Sequence, residues 1–243
     1  MKNLKKVLAL VIALTMVLTT VAFASYPDVD ADANYASAVE LLSALEILQG
    51  DENGNFNPDN TITRAEYAAV VCRALGMENA ANSAKGATIF TDVAADHWAT
   101  GYINLASQQG IVNGKGNGIF DPEGNVTYAE AVKMLVVALG YEPMAASRGG
   151  YPTGYLTVAN STKITANVSS SGTDTAALRS TVAQLTANAL EVANMDQTGF
   201  GTDTKYEVLD DYDNYTTLLT KMDIYKATGV VTKVDATDDT ATI

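Results

Sequence analysis

Only one cysteine, one histidine and one tryptophan occur among the 243 residues. A lone Cys72 excludes an internal disulfide, and with His97 as the one imidazole there is no second Cys or His for a metal cluster. Basic residues are few as well. Lys and Arg number 15 against 28 Asp and Glu, for a formal charge of −13. Such acidity argues against nucleic acid and anionic membrane surfaces as partners. No residues form a convincing catalytic pair, so the chain reads as non-enzymatic, with no cofactor and no metal implied.

The longest apolar run stands at the start. Lys2, Lys5 and Lys6 precede an apolar stretch from Val7 to Val21, which ends in Ala22-Phe-Ala24. A basic lead, a hydrophobic core and a small-x-small end describe a secretory signal peptide over 1–24. The rival reading, an uncleaved membrane anchor, needs a longer run. Cleavage removes those three lysines, takes the charge to −16 and leaves no membrane partner.

The stretch Thr61 to Gly76 carries the clearest local signal. Thr63 and Glu66 have the spacing of a capping box, in which each side chain bonds the other residue's backbone N–H. Val70, Val71, Ala74 and Leu75 then line one helical face, and Gly76 is a C-terminal stop. Arg64 is out of place, because a cation in the first turn opposes the helix dipole. It is either held for an anionic partner or part of a plain surface salt bridge.

A shift of 64 residues repeats the pattern without a gap. Thr127-Tyr-Ala-Glu130 falls on Thr63-Arg-Ala-Glu66, Phe120 on Phe56, Gly114 on Gly50 and Asp92 on Asp28. This is an internal repeat. In the first copy Asp32 is expected to cap a helix over 34–46 that buries Val39, Leu42 and Leu45. Asp51-x-Asn53-x-Asn55 has the spacing of a calcium loop, but Phe56 and Ile62 stand where that loop needs Gly and Glu, so Phe56 reads as a core plug. Cys72 faces Val136 in the repeat and reads as a small core hydrophobe. His97 reads as a capping or surface residue. Met77 to Ala87 reads as a surface connection. A third copy is degraded: Tyr151-Pro-Thr-Gly-Tyr-Leu156 aligns with Trp98-Ala-Thr-Gly-Tyr-Ile103, and Leu178-Arg-Ser-Thr181 stands where the capping box would be.

These residues resemble the S-layer homology (SLH) domain, a short module usually present as three tandem copies. The markers are the Asp-Val opening, Trp98, the Gly-x-x-x-Gly-x-Phe loop and Thr63-Arg-Ala-Glu66, and the resemblance covers 26–195. It implies an all-α fold, with helix-loop-helix repeats packed as a pseudo-threefold bundle of prongs and a β-rich segment beginning after it. The repeats would be 25–85, 86–148 and a degenerate 149–198, followed by an acidic linker and the start of a β-rich region over 199–243. It also implies binding of secondary cell-wall polysaccharide, commonly pyruvylated, in the envelope of a Gram-positive-type bacterium. The partner is then that polysaccharide, with self-association in a surface lattice through further domains. The alternative is the anchoring module of an envelope polysaccharide or peptidoglycan hydrolase.

Stacked copies leave grooves, and the starts of the second helices are expected along them, offering free N–H groups to an anion. Arg64 would add a bidentate charged donor, and Arg179 is its counterpart in the third copy. By the resemblance Trp98 is the groove aromatic and Tyr151 its third-copy equivalent, whereas the first copy has Asn34 there, beside Tyr35. Asp28 and Asp92 read either as acceptors for sugar hydroxyls or as turn caps. Gly50 and Gly114 read either as points of ligand approach or as left-handed turn residues. Lys115 reads as a polymer contact or an ordinary surface lysine. Tyr128 replaces Arg in the second copy, so its groove is expected to be weak. On this reading Arg64→Ala spares the melting temperature and weakens wall binding. After about Asn194 the chain turns acidic, and Tyr225 to Lys233 reads as a strand or hairpin around Thr228-Gly229.

Overall fold

The computed structural model describes residues 26–169, 172–199, 203–211, 213–225, 233–235 and 240–242. The signal segment 1–24 and the turn at Thr228-Gly229 lie outside the described residues. Ala24–Leu218 forms one compact unit. Its helices are α1 (Ala36–Ala44), α2 (Arg64–Ala74), α3 (Glu78–Ser83), α4 (Thr100–Gln108), α5 (Tyr128–Ala138), α6 (Glu142–Ser147), α7 (Thr153–Ser161) and α8 (Arg179–Leu190).

Both capping boxes form. Thr63 Oγ1 accepts the Glu66 N–H at 3.2 Å while Glu66 Oε2 accepts the Thr63 N–H at 2.8 Å. Thr127 and Glu130 repeat this at 3.3 and 2.9 Å. A good N-cap is worth about 1 kcal/mol. Helix α8 opens on Leu178 with no side-chain cap, as the loss of its Thr and Glu requires.

Asp32 does not cap α1. That helix starts later, at Ala36, with Tyr35 at its N-cap and no capping side chain, and the Asp32 N–H is taken by Asp30 Oδ1. Leu45 is accordingly only half-buried, and Ile47 and Leu48 take core places beside Val39 and Leu42. The connection 77–87 contains α3, and α6 is its second-copy counterpart. Phe56 and Phe120 are fully buried, as are Cys72 and Tyr67. Each plug contributes about 1.5–3 kcal/mol of apolar burial.

The first helix and the long helix of a copy each take their main partner from another copy. Helix α4 packs on α2, α7 on α5, and α1 on α8. Each prong therefore joins the first helix of one copy to the long helix of the copy before it, with the third copy closing onto the first. At the centre α2, α5 and α8 touch pairwise. The chain entering these helices forms a closed backbone triangle. Ile62 N–H donates to Ala177 O at 3.3 Å, Ala177 N–H to Val126 O at 2.9 Å, and Val126 N–H to Ile62 O at 3.0 Å. All three residues are buried. A single copy would leave both faces unpartnered, so stability belongs to the ring.

Segment β1 (Met195–Gln197) pairs antiparallel with β2 (Tyr206–Val208), so the stretch expected to be an acidic linker contains a strand that pairs with the end of the third copy. Buried Met195 docks on the end of α5, where its N–H bonds Leu139 O at 2.8 Å. A Cβ at Gly140, whose φ is +87°, would lie 1.9 Å from Met195 O. Helix α9 (Leu218–Lys221) follows, and β3 (Lys233–Asp235) pairs with β4 (Thr240–Thr242). Strand β3 carries Val234, while residues 226–232 of the expected strand or hairpin lie outside the described residues.

Candidate functional site

The helix starts are not open. Arg64 N–H donates to Gly124 O at 2.8 Å and Ala65 N–H to Pro122 O at 3.0 Å. Tyr128 and Ala129 donate to Thr175 O and Thr173 O, and Arg179 and Ser180 to Asn60 O and Pro58 O. Every long helix is plugged by a loop carbonyl pair from the following copy. The expectation of free N–H groups for an external anion is thereby corrected: the next copy takes the orphan donors. What reaches the grooves is side chains.

Arg64 and Arg179 adopt the same pose in successive interfaces. Arg64 lies over the Phe120 ring at 4.9 Å, with Nε donating to Phe120 O at 2.9 Å and Nη2 to Asn113 O at 2.8 Å. Arg179 lies over the Phe56 ring at 4.9 Å, with Nε on Phe56 O at 2.8 Å and Nη2 on Gln49 O at 2.7 Å. They differ at the third nitrogen. Arg64 Nη1 donates to Glu130 Oε1 at 2.6 Å, and the residue is buried. Arg179 is half-buried, and among the described residues no carboxylate bonds it. Burial lowers its pKa from the ordinary arginine value, opposed by the nearby Glu66 charge. The anion that answers the apparent misplacement of Arg64 is therefore Glu130 of the second copy.

Each arginine borders a groove faced by an exposed aromatic. The first groove, of about 390 Å³, is lined by Arg179, by Gly50 and Asp51 of the first-copy loop, by Glu66 and Arg73 of α2, and by Trp98. The second, of about 480 Å³, is lined by Arg64, by Gly114 and Lys115, by Glu130 and Lys133 of α5, and by Tyr151. Trp98 and Tyr151 are 50% and 51% exposed, so each leaves a ring face toward solvent. The equivalence runs deeper: Tyr102 donates to Glu78 Oε1 beneath Trp98, and Tyr155 to Glu142 Oε1 beneath Tyr151.

The third interface lacks both features. Tyr128 stands in the arginine's place and is buried, which raises its pKa. Asn34 stands in the aromatic's place, and its amide donates to Asn167 O at 2.9 Å, bridging the first and third copies.

The S-layer homology domain model matches residues 25–68 and 89–132. The Middle cell wall protein of Brevibacillus brevis is 38% identical over 227 residues, 90% of this chain and 20% of that protein. The Surface layer protein of Brevibacillus choshinensis is 38% identical over 225 residues, 90% of this chain and 19% of that protein. The chain carries two S-layer homology domains. It spans about a fifth of the length of these curated relatives. An Amylopullulanase of Thermoanaerobacterium thermosulfurigenes is 37% identical over 112 residues, 45% of this chain and 6% of that enzyme. The family and its surface-protein relatives place the chain at the cell surface.

Other residues singled out in the SLH copies have structural duties. Asp28 accepts the Phe56 and Asn57 N–H groups at 2.8 and 2.6 Å, and Asp92 accepts those of Phe120 and Asp121 at the same distances. Both oxygens of each clamp the loop to the opening of its own copy, the turn-cap role. Desolvation would raise the Asp92 carboxyl, but the Phe120 and Asp121 N–H bonds outweigh it and hold it below its ordinary value.

Gly50 and Gly114 are not left-handed. A Cβ at Gly50 would lie 2.4 Å from the Tyr26 ring, and one at Gly114 would lie 2.6 Å from Ile119 O. Their smallness lets the loop backbone close on the aromatic beneath. Lys115 pairs with Asp121 at 2.6 Å. Asp51 accepts the N–H groups of Asn53 and Asn55, each at 2.9 Å, so the calcium-like spacing serves an Asx turn. His97 Nδ1 accepts the Ala99 N–H at 3.2 Å, a local cap.

Sequence reasoning missed Lys133, Glu130 and Arg73. Lys133 is half-buried, and desolvation lowers its pKa; its ammonium donates to the Asn113 amide oxygen at 2.8 Å. Ala69 occupies its place in the first groove. Comparing the lining positions copy by copy would have shown the difference. Arg73 is tied to Glu78 at 3.2 Å and to the Tyr102 hydroxyl at 3.2 Å.

Proposed function

We propose that the three SLH copies, 25–85, 86–148 and a degenerate 149–198, anchor an exported surface protein to the cell wall. They bind an acidic secondary cell-wall polysaccharide in the Arg179 and Arg64 grooves, and residues 1–24 direct export. The observation that carries this reading is the repeated pose: an arginine stacked on a buried Phe, facing an exposed Trp98 or Tyr151 supplied by the next copy. An aromatic face suits the apolar side of a sugar ring, and a guanidinium suits a carboxylate such as that of a pyruvate ketal. The interface without either group, at Tyr128 and Asn34, takes no part.

Net negative charge does not forbid this ligand. At physiological salt the screening length is about 8 Å, so groove geometry governs the contact while long-range steering stays weak. No catalytic step is assigned to these residues; the module holds, and assembly in a surface lattice falls to other parts of the protein.

Co-sedimentation tests the reading. The full chain should pellet with intact Gram-positive cell walls and stay in solution with walls stripped of secondary polymer. Equal pelleting with both would reject it. The similarity to an amylopullulanase supports a second reading, in which the same anchor carries an envelope glycoside hydrolase. The two differ in whether the anchored protein carries a catalytic domain, not in how these grooves work.

A further inference from the structure

We propose that Glu130 sets the affinity of the second groove: it is a carboxylate built into the wall, occupying the guanidinium edge that Arg179 leaves open in the first. This rests on the reading of both grooves as carboxylate-binding sites. The two interfaces act as each other's control. Both arginines stack on a Phe at 4.9 Å and bond two loop carbonyls in the same way. Both facing glutamates are pinned through Oε2 by their own N-cap, Glu66 at 2.8 Å and Glu130 at 2.9 Å. Only Oε1 differs. Glu130 Oε1 lies 2.6 Å from Arg64 Nη1, with the two side chains 25% and 7% exposed. Glu66 influences Arg179 through its charge without forming an ion pair among the described residues.

A ligand carboxylate arriving at Arg64 must therefore displace one already in place, and it meets the charge of the displaced group. The competitor is intramolecular and held by the capping box, so its local concentration is high and it cannot diffuse away. At Arg179 no bonded carboxylate has to leave. Two grooves of one architecture then differ in affinity for the same acidic sugar, Arg179 filling first. The second groove stays a reserve site that fills at higher local ligand density.

The test is the substitution Glu130→Gln. The neutral amide keeps the volume and still accepts the Thr127 N–H, so the helix start survives, and an unchanged Thr127 amide signal verifies it. Glu66→Gln is the matched control. The Nε–Hε groups of Arg64 and Arg179 both bond carbonyls and serve as reporters in nitrogen–proton spectra of the full chain. They are titrated with methyl glucoside 4,6-pyruvate ketal. Glu130→Gln should lower the ligand concentration needed at Arg64 about tenfold, the factor that 1.4 kcal/mol represents, and leave the Arg179 curve in place. Glu66→Gln removes a nearby charge but no ion pair, so it should shift the Arg179 curve by a much smaller factor. Response at Arg179 with no gain at Arg64 from Glu130→Gln overturns the role of Glu130 while sparing the groove reading. So does an equal gain at Arg179 from Glu66→Gln. Silence of both arginines in every variant overturns the groove reading and this inference with it.

Discussion

Arg64 and Glu130 meet at 2.6 Å across the boundary between the first and second copies. The arginine is a structural bolt as much as a groove wall, since its other bonds, to Phe120 O and Asn113 O, also reach into the second copy. Arg64→Ala therefore does not spare stability, contrary to what its first-turn position alone suggests. It leaves Glu130 unpaired and two carbonyls without donors. We expect a loss of about 3–5 kcal/mol, the range for breaking a buried pair from one side, read from urea unfolding. Adding Glu130→Gln should recover part of it, because the neutral amide tolerates the missing partner, and a double-mutant cycle gives the coupling.

Loop closure depends on two glycines. A methyl group at Gly114 would lie 2.6 Å from Ile119 O and 2.8 Å from the Phe90 ring. Backbone cannot yield cheaply, so Gly114→Ala should cost about 1–3 kcal/mol and displace the loop bearing Lys115. A melting temperature equal to wild type would contradict this packing.

Acid should weaken the loop clamp. The folded Asp92 pKa is depressed, so the stability it contributes is present in full above the unfolded carboxylate value of about 3.9 and is lost as pH falls through the folded value. Asp92→Asn keeps at most one good acceptor and should cost about 1–2 kcal/mol near neutrality. The gap between wild type and variant should hold from pH 7 to about pH 5 and narrow below about pH 4. Thermal melts across that window check it, and a gap independent of pH would contradict the clamp.

The interface at Tyr128 offers a specificity control. Tyr128 is buried, so Tyr128→Ala should cost about 3 kcal/mol while wall binding measured well below the melting temperature stays unchanged. Lys133→Ala should do the reverse: near-native stability, with weaker binding confined to the Arg64 groove.

Much of this architecture was legible in residue order. The ungapped repeat, both capping boxes, the Phe56 plug and the inertness of Cys72 follow from local rules, and burial raises the Cys72 thiol pKa to about 12. The cyclic exchange was not legible. Nothing near α1 says that its partner is α8, because that contact spans the whole module. For the same reason Arg64 looked like a cation without a partner: Glu130 lies 66 residues away. Asp28 and Gly50 were ambiguous because a turn cap and a ligand contact use the same residue types. Trp98 and Tyr151 could be named from pattern, but that they line grooves beside Arg179 and Arg64 needed the assembled ring.

The central claim is that a guanidinium on a Phe platform, facing an exposed aromatic, grips acidic wall glycan. Arg179 is the position where that claim is least entangled with folding, since among the described residues no ion pair holds it. The decisive measurement is the affinity of full-length Arg179→Gln for purified secondary cell-wall polysaccharide, by calorimetry beside wild type. The account predicts a loss of about tenfold or more, as expected for one charge-assisted contact, with the helical signal retained. Undiminished affinity would contradict it.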